Sequence, residues 1–215
     1  IGRRLEAARL VRSALLFRAQ ARLGGRARTV QRGVDRFDDA VTTGEMLQRL
    51  GLPFDVARPD VDETAHAGES AISLAIRLGR AKAQAVAAGL GDDDWALGSD
   101  QSADVLGEIL GKPGNRAAAI AQLQSMAGKR IRFHTSLALA HRDGRVFEAL
   151  DLTEVSMRAL TDDEIERYVD AEQPFDCAGS FKSEGVGVTL FDAIDNHDPT
   201  ALVGLPLIRL TAMLA

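Results

Sequence analysis

A carboxylate, an amide and a lysine lie close together in the middle of this sequence, at Asp100, Gln101 and Lys112. Short apolar runs at 95–97 and 105–110 precede them, and these runs predict two strands that each deliver polar residues at their end. A carboxylate there can hold a divalent metal or accept a proton from water, and a lysine can meet phosphate charge. Because Gly-Lys-Pro at 111–113 is also typical of an ordinary turn, the spacing alone leaves both interpretations open.

Two further candidates lie upstream, at Glu63 and Lys82. Glu63 belongs to an acidic loop at 60–64, which is either a solvated turn or a contact for a metal or substrate. Lys82 lies in a helix that we expect to begin at the N-cap Ser70 and to run to about Ala88. The predicted buried stripe of this helix consists of Ile72, Ala75, Ile76, Gly79, Ala83 and Val86. Lys82 falls about 80° from the middle of the stripe. We therefore expect it at the boundary between core and solvent, either extended along the surface or directed at phosphate.

A third candidate region, at 177–187, is dense in small and polar residues. Its glycines at 179, 185 and 187 allow close approach of the backbone to a ligand. Lys182 and Glu184 supply charge in the same region, so both are candidate binding residues.

Local patterns predict the elements that position these residues. A helix is expected at 46–52, followed by a short strand at 54–59. Asn115 is the expected N-cap of a second helix, and Thr161 with Glu164 forms a capping box that opens a third. Long strands at 131–141 and 146–157 are expected to form a hairpin through an Asp-Gly turn, and a closing helix is expected at 207–214. This order favours a mixed α/β fold without the glycine-rich fingerprint of doubly wound folds.

Composition narrows the class of protein. The 215 residues are 46% hydrophobic and 27% charged, as in ordinary soluble proteins with one sizeable core. The single cysteine, Cys177, excludes an internal disulfide framework and a cysteine-rich metal site, and it fits a reducing compartment. No apolar run approaches the roughly 20 residues of a membrane-spanning helix, so we expect no membrane partner.

Charge is distributed unevenly along the chain. Residues 1–34 hold nine arginines and one acidic residue, a net charge of +8, whereas the remainder holds 17 basic and 30 acidic residues, a net charge of −13. The acidic body argues against nucleic acid as a partner. Three interpretations of the arginine-rich start stay open: a basic arm for nucleic acid or membrane, a transit-like leader, or a stretch that is not native coding sequence.

From about Met46 to Ala215 the sequence resembles the Maf-like nucleotide pyrophosphatases, which split a nucleoside triphosphate into a monophosphate and pyrophosphate. The resemblance rests on ordered blocks: MLQRLGLPF at 46–54, PDVDET at 59–64, the helix around Lys82, GSDQ at 98–101, GEILGKP at 107–113, FDCAGSFKSEG at 175–185 and LVGLPL at 202–207. It implies an α/β fold of the Maf and inosine-triphosphatase type, with a mixed β-sheet flanked by helices and two lobes around a central cleft. It also implies a pyrophosphatase domain at 45–215, a cytoplasmic location and a homodimer.

The resemblance implies roles for individual residues. The reaction would be metal-assisted attack of water on the α-phosphorus of a nucleoside triphosphate. Asp100 would accept the proton and help to hold Mg²⁺ or Mn²⁺, and Glu63 would be a second catalytic carboxylate that contacts the metal or the water. Lys82 and Lys112 would neutralise charge on the phosphate chain, and Lys182 is a further candidate substrate contact.

Gln101 and Glu184 would set the substrate preference. The Gln of Ser-Asp-Gln and the Glu of Lys-Ser-Glu-Gly are similar to the family branch that hydrolyses 7-methyl-GTP. Branches that act on dTTP and UTP usually carry Asp-Thr at the first place. Because a 7-methylguanine ring is cationic, Glu184 would accept from its N–H edge and offset its charge.

One part of the family pattern is missing. The family carries Ser-x-Ser-x-x-Arg-Arg in a loop that cradles phosphates, between an apolar first strand and the helix at 46. This chain has DDAVTTGE at 38–45, where Asp38 and Asp39 would repel phosphate, and it has charged residues in the strand position at 34–37.

We therefore hypothesise a frameshift upstream of about Glu45, which would make residues 1–44 an atypical segment. The expected enzyme would then have impaired activity, and the alternative is a nucleotide-binding or regulatory relative without catalysis. Two smaller departures are Ser136, which replaces the glycine usual after Thr135, and Leu106, which stands where an aspartate often precedes Gly107.

Overall fold

The computed structural model describes residues 19–20, 47, 54–183 and 185–215. Within these residues the strands are β1 (Ala19–Gln20), β2 (Asp94–Val105), β3 (Glu108–Leu110), β4 (Arg130–His141), β5 (Val146–Met157) and β6 (Phe191–Asn196). The α-helices are α1 (Ala71–Ala87), α2 (Arg116–Met126), α3 (Asp162–Glu172) and α4 (Leu207–Leu214). Short 3₁₀ helices lie at Ala178–Ser180, Val186–Leu190 and Ala201–Val203.

The described strands form one sheet in the order β1-β2-β4-β5-β6, and β3 folds back on β2. Every pairing among them is antiparallel. The long strands β2, β4 and β5 place Gln101, Thr135 and Asp151 in one row across the sheet. The predicted α/β fold is thus confirmed. A parallel strand pair is not among the described residues, and the division into two lobes stays a prediction.

Helix α1 packs closely on one face of this sheet. Small side chains at the contact let the backbones approach: Ala83, Ala87, Ala96, Ala138 and Ala140. The approach is tightest at Gly98 of β2, where a Cβ would lie 2.4 Å from the Gly79 carbonyl oxygen and 2.6 Å from the Ala83 nitrogen. Only glycine fits at this position without moving the helix.

The opposite face carries the two larger apolar clusters, because alternate residues of a strand point to opposite sides. One cluster joins Leu97, Leu137 and Leu139 to Leu210 of α4. The other joins the sheet around Phe133 to the inner sides of α2 and α3. Among the described residues, no helix is long and apolar enough to cross a membrane.

Several predicted elements are confirmed with their caps. The hydroxyl of Ser70 accepts from Ser73 N, and the Asn115 side chain accepts from Ala118 N, so α1 and α2 begin where expected. Thr161 and Glu164 form both bonds of the capping box that opens α3. The two long strands at 131–141 and 146–157 and the closing helix at 207–214 are also confirmed.

Three expectations are wrong. Residues 54–59 form no strand, because this stretch has no pairing partner in the sheet. The segment around Asp100 is one continuous strand, so Asp100 lies inside β2 and not at a strand end. Ile72 is 44% exposed, because the contact at Gly98 turns the glycine and alanine positions of α1 toward the sheet, together with Leu74 and Leu78.

Other expectations fall on residues that the structure does not describe. Of the predicted helix at 46–52, Leu47 alone is described, and it is helical and fully buried. The strand position at 34–37, the loop position at 38–45 and Glu184 lie outside the described residues.

Candidate active site

Three charged side chains form a connected row at the centre of the molecule. The Lys82 ammonium lies 2.7 Å from Asp100 Oδ1 and 2.7 Å from Glu63 Oε1. Lys82 comes from α1, Asp100 from the middle of β2 and Glu63 from the acidic loop before α1. The Glu63 side chain is 41% exposed, whereas those of Lys82 and Asp100 are 1% and 6% exposed, so the row runs from the surface into the core.

The burial of Lys82 corrects its expected position at the boundary between core and solvent. The contact of Gly79 and Gly98 brings α1 onto β2, and the turn that carries Lys82 then lies over Asp100. A buried ammonium is tolerated here because two carboxylates compensate its charge. Lys82 is also absent from the wall of the cavity described below.

The surroundings of Asp100 change the pKa of its carboxyl. Burial raises the pKa of its carboxyl above the usual 3.8, and the Glu63 carboxylate adds to the rise, while Lys82 and Lys112 oppose it. A carboxylate with a raised pKa is a stronger proton acceptor than one in water. The position therefore suits a general base.

Lys112 completes the charged end of the site. A two-residue turn after β2 folds the chain back as β3, and Lys112 follows β3. The Lys112 ammonium lies 3.8 Å from Glu63 Oε2. Its side chain is 52% exposed. Unlike Lys82, this lysine stands where a charged ligand can reach it.

A cavity of about 330 Å³ opens beside the row. Four of the candidate residues line it: Glu63, Asp100, Gln101 and Lys112. The rest of the wall consists of Ala65, Leu74, Leu78, Ser102, Ile109, Leu110, Gly111, Phe133, Asp176, Cys177, Ala178, Phe181, Ser183, Leu202, Val203 and Gly204. A mostly apolar wall with Glu63, Asp100 and Lys112 close together suits a ligand that combines an aromatic ring with a charged tail.

Gln101 is held by its amide nitrogen. Nε2 donates to Thr135 Oγ1 at 2.9 Å, to the Ala201 carbonyl at 2.9 Å and to the Leu202 carbonyl at 3.3 Å. Because β2 alternates its side chains, Gln101 lies on the sheet face opposite to Asp100. Both residues nevertheless line the same cavity.

The structure does not bring Lys182 to this cavity. Its ammonium donates to the Glu172 carbonyl at 2.8 Å, at the end of α3, and its backbone N donates to the Tyr168 hydroxyl. A lysine at a helix C-terminus compensates the unpaired carbonyls there. Its role as a substrate contact stays a prediction, as does that of Glu184, which is not described.

The acidic loop that carries Glu63 is anchored to α1. Arg77 donates to both carboxylate oxygens of Glu69 at 2.8 Å and to the Thr64 carbonyl at 3.0 Å. The Arg77 guanidinium lowers the pKa of Glu69 to about 2, so this pair stays charged at neutral pH. The loop thus has a fixed attachment one residue away from Glu63.

Sequence reasoning missed part of the cavity. From sequence, Leu202, Val203 and Gly204 belong only to a block shared with the family, and nothing in their residue types marks Ser102 and Asp176 as cavity residues. The segment at 201–204 contributes backbone carbonyls, and the residue types of a sequence do not show which carbonyls will be used. The one available indication was the block LVGLPL itself.

The two smaller departures from the family pattern are accommodated. The Ser136 hydroxyl donates to the Ala75 carbonyl at 2.6 Å, so the added group is satisfied beneath α1. Leu106 is 85% exposed and adopts a positive φ of 54° in the turn between β2 and β3. Neither side chain lines the cavity.

The donor set bears on the expected metal. The described residues contain no group of three or more His, Cys, Asp or Glu side chains that could hold an ion. Mg²⁺, however, is often bound by one or two carboxylates together with substrate phosphates. Asp100 and Glu63, both at the cavity wall, fit that arrangement, and they would hold the ion jointly with the substrate.

The sequence matches a known protein family and curated relatives. A family model described as Maf-like protein matches residues 44–215. The 7-methyl-GTP pyrophosphatase of Xanthomonas oryzae pv. oryzae is 57% identical over 170 residues, which cover 79% of this chain and 88% of the relative. Those of Albidiferax ferrireducens and Burkholderia lata are 54% and 52% identical, over 79% of this chain and 85% and 82% of the relatives. Because this family model matches most of the chain and these relatives are more than half identical to it, the chain belongs to the Maf-like protein family.

Proposed function

We propose that this chain hydrolyses 7-methyl-GTP, or a closely related modified nucleotide, to the monophosphate and pyrophosphate. The observation that carries the proposal is the buried Asp100 carboxylate, paired with Lys82 and exposed to a cavity that also holds Gln101 and Lys112. Relatives more than 50% identical are named 7-methyl-GTP pyrophosphatases, which supports the same substrate here.

In the proposed reaction Asp100 acts as the general base. It takes a proton from a water molecule, the water oxygen bonds to the α-phosphorus, and the bond from that phosphorus to the bridging oxygen breaks. Pyrophosphate leaves with the electron pair of that bond. Lys82 holds the carboxylate in place, and Lys112 offsets charge on the phosphates as the leaving group departs.

The proposal includes Mg²⁺ or Mn²⁺ held by Asp100 and Glu63 jointly with the phosphates. When bound, the ion would neutralise phosphate charge and lower the pKa of the attacking water. Turnover should then disappear when divalent ions are removed with EDTA and return when Mg²⁺ or Mn²⁺ is added in excess.

The sequence at 38–45 limits the expected rate. Two aspartates and no arginine stand in the position of the phosphate loop, so phosphate binding should be weak and KM high. A nucleotide-binding relative without turnover is the competing outcome. The comparisons do not favour it.

The cellular context is also part of the proposal. A cytoplasmic location and a homodimer are expectations from the family resemblance, and nucleic acid is not an expected partner. Size-exclusion chromatography with light scattering tests the dimer directly.

The decisive assay is pyrophosphate release from 7-methyl-GTP in Mg²⁺ and in Mn²⁺. GTP, dTTP and UTP are tested separately as alternative substrates. Asp100→Asn serves as the catalytic control. A second protein carries Ser-x-Ser-x-x-Arg-Arg at 38–44, and we expect it to lower KM for 7-methyl-GTP. If neither protein cleaves any of the four nucleotides, the proposed function is wrong.

A further inference from the structure

The Gln101 amide has one orientation that its surroundings permit. Its Nε2 faces three acceptors, of which two are backbone carbonyls that cannot donate. The third is Thr135 Oγ1, whose own hydrogen is directed to the Ala201 carbonyl at 3.0 Å. A flipped amide would set its oxygen against two carbonyl oxygens with no hydrogen between them, and a bond to it from Thr135 would take the hydroxyl hydrogen away from the Ala201 carbonyl. The nitrogen is therefore committed to these three groups.

This commitment decides which atom of Gln101 is left for a ligand. Oε1 accepts no hydrogen bond from the part of the chain that the structure describes, and Gln101 lines the cavity. The side chain thus presents an acceptor to the cavity. An acceptor recognises N–H donors, which guanine carries on N1 and N2, and the positive charge of a 7-methylguanine ring makes N1–H a stronger donor.

We propose that Thr135 is a positioning residue for substrate preference, because its hydroxyl, which donates to the Ala201 carbonyl, acts with the two backbone carbonyls to hold the Gln101 nitrogen and so keeps the amide oxygen toward the nucleobase. Thr135 is fully buried and does not line the cavity, so it acts through Gln101 and not by touching the substrate. It is the one side chain among the three acceptors, and so the one that mutation can remove. This inference rests on the proposed function, since it assumes that the base lies at Gln101.

The test compares Thr135→Val, which keeps the shape but loses the hydroxyl, with Thr135→Ser, which keeps the hydroxyl. The readout is the ratio of kcat/KM for 7-methyl-GTP to that for ATP, whose base offers an acceptor at N1 where guanine has a donor. We expect Thr135→Val to lower this ratio about tenfold, as for one lost hydrogen bond. Thr135→Ser should keep the ratio, and a general loss of stability would not change it.

A double-mutant cycle shows whether Thr135 acts through Gln101. Gln101→Leu should lower the ratio by itself, and Thr135→Val added to it should change the ratio no further. An equal additional fall in the double variant overturns the inference. If Thr135→Val does not fold, as judged by circular dichroism, Thr135→Cys replaces it, because a thiol is a weak acceptor.

Binding separates this inference from the proposed function. Calorimetric titration with the α,β-methylene analogues of GTP and ATP gives a preference that does not require turnover. If the wild-type chain prefers the GTP analogue without cleaving 7-methyl-GTP, and Thr135→Val loses that preference, the positioning role holds and the activity fails. If the wild-type chain cleaves 7-methyl-GTP and Thr135→Val keeps the ratio, the positioning role alone is wrong. If it neither binds nor cleaves guanine nucleotides, both are wrong.

Discussion

Asp100 and Asp104 lie on the same face of strand β2, and they are almost equally buried, at 6% and 3% exposure. Their partners differ. Asp104 accepts from Arg132 at 2.7 Å and from Gly107 N at 3.0 Å, and it lies 2.7 Å from His134 Nε2. Asp100 has the Lys82 ammonium as its partner, which it shares with Glu63.

The pKa values of the two carboxyls consequently shift in opposite directions. Burial acts to raise the pKa of Asp104, but the hydrogen bonds from His134 and Arg132 outweigh it, and the pKa falls below the usual 3.8. For Asp100 burial prevails and the pKa rises above 3.8. A carboxylate with a full set of donors stabilises the fold, whereas one with an incomplete set beside a cavity keeps its affinity for a proton.

The largest expected effect comes from exchanging each carboxylate for an amide. Asp100→Asn should lower kcat for 7-methyl-GTP by about 10²- to 10⁴-fold, because the proton acceptor is lost. Asp104→Asn should leave kcat nearly unchanged and lower the free energy of unfolding by about 1–3 kcal/mol, because His134 and Arg132 lose their partner. Steady-state kinetics and urea denaturation measure the two effects. Equal losses of kcat in both variants would contradict the distinction.

Gly98→Ala should disturb the Asp100 region and spare the Asp104 region. The new Cβ would lie 2.4 Å from the Gly79 carbonyl, so α1 must shift, at a cost of about 1–3 kcal/mol in the free energy of unfolding. The shift moves Lys82 relative to Asp100, so activity should fall as well. Gly89→Ala is the matched control, since its Cβ would meet the nearest atom at 3.7 Å. A Gly98→Ala protein with unchanged stability and turnover would show that the contact is looser than described.

The contributions of Asp104 and Asp100 to the free energy of unfolding should change with pH in opposite directions. The contribution of Asp104, whose pKa is lowered, is present above the usual 3.8 and is lost as pH falls through the lowered value. The contribution of Asp100, whose pKa is raised, is complete below 3.8 and is lost as pH rises through the raised value. Free energies of unfolding measured from about pH 3 to pH 7 should therefore rise more steeply with pH in Asp100→Asn than in the wild type, and less steeply in Asp104→Asn.

The same reasoning predicts a shift in the activity profile. Glu63 raises the pKa of Asp100, so Glu63→Gln should move the acid limb of kcat/KM to lower pH, whatever its effect on the maximum rate. If the acid limb of the kcat/KM profile does not move, a group other than Asp100 is responsible for it.

The smallest effect is expected next to Asp104, in the turn between β2 and β3. Leu106 and Gly107 both have positive φ, of 54° and 92°, in a two-residue hairpin that favours Asn-Gly. Leu106→Asn should raise the free energy of unfolding by about 1 kcal/mol without changing kcat. Leu106→Ala, which has the same backbone restriction as leucine, should give no such gain. Thermal denaturation of the three proteins measures the difference.

The elements that the sequence predicts well are those with local causes. Ser70, Asn115 and Thr161 cap their helices through bonds to residues at most three positions away, so the pattern alone suffices. The long hairpin of β4 and β5 is likewise marked by its Asp-Gly turn. The prediction of a strand at 54–59 is wrong because a local apolar pattern does not reveal whether a neighbouring strand is present to pair with it.

The site divides in the same way. Residue type and spacing make Glu63, Asp100, Gln101 and Lys112 candidates, the family resemblance gives them roles, and the structure places them around one cavity. The burial of Lys82 was not predictable from its helix, because it depends on carboxylates from two distant segments. The role inferred for Thr135 depends on the carbonyls of Ala201 and Leu202, and backbone groups are the same at every position of a sequence.

The bonds from Gln101 to Ala201 and Leu202 span 100 and 101 residues of chain. During synthesis the ribosome therefore releases Lys82 and Asp100 long before the segment that orients the amide. A product of premature termination ahead of residue 201 would carry the charged row without the groups that fix Gln101. Such a fragment would contain Glu184 but not the groups that hold the Gln101 amide, so this part of the base preference can form only at the end of synthesis.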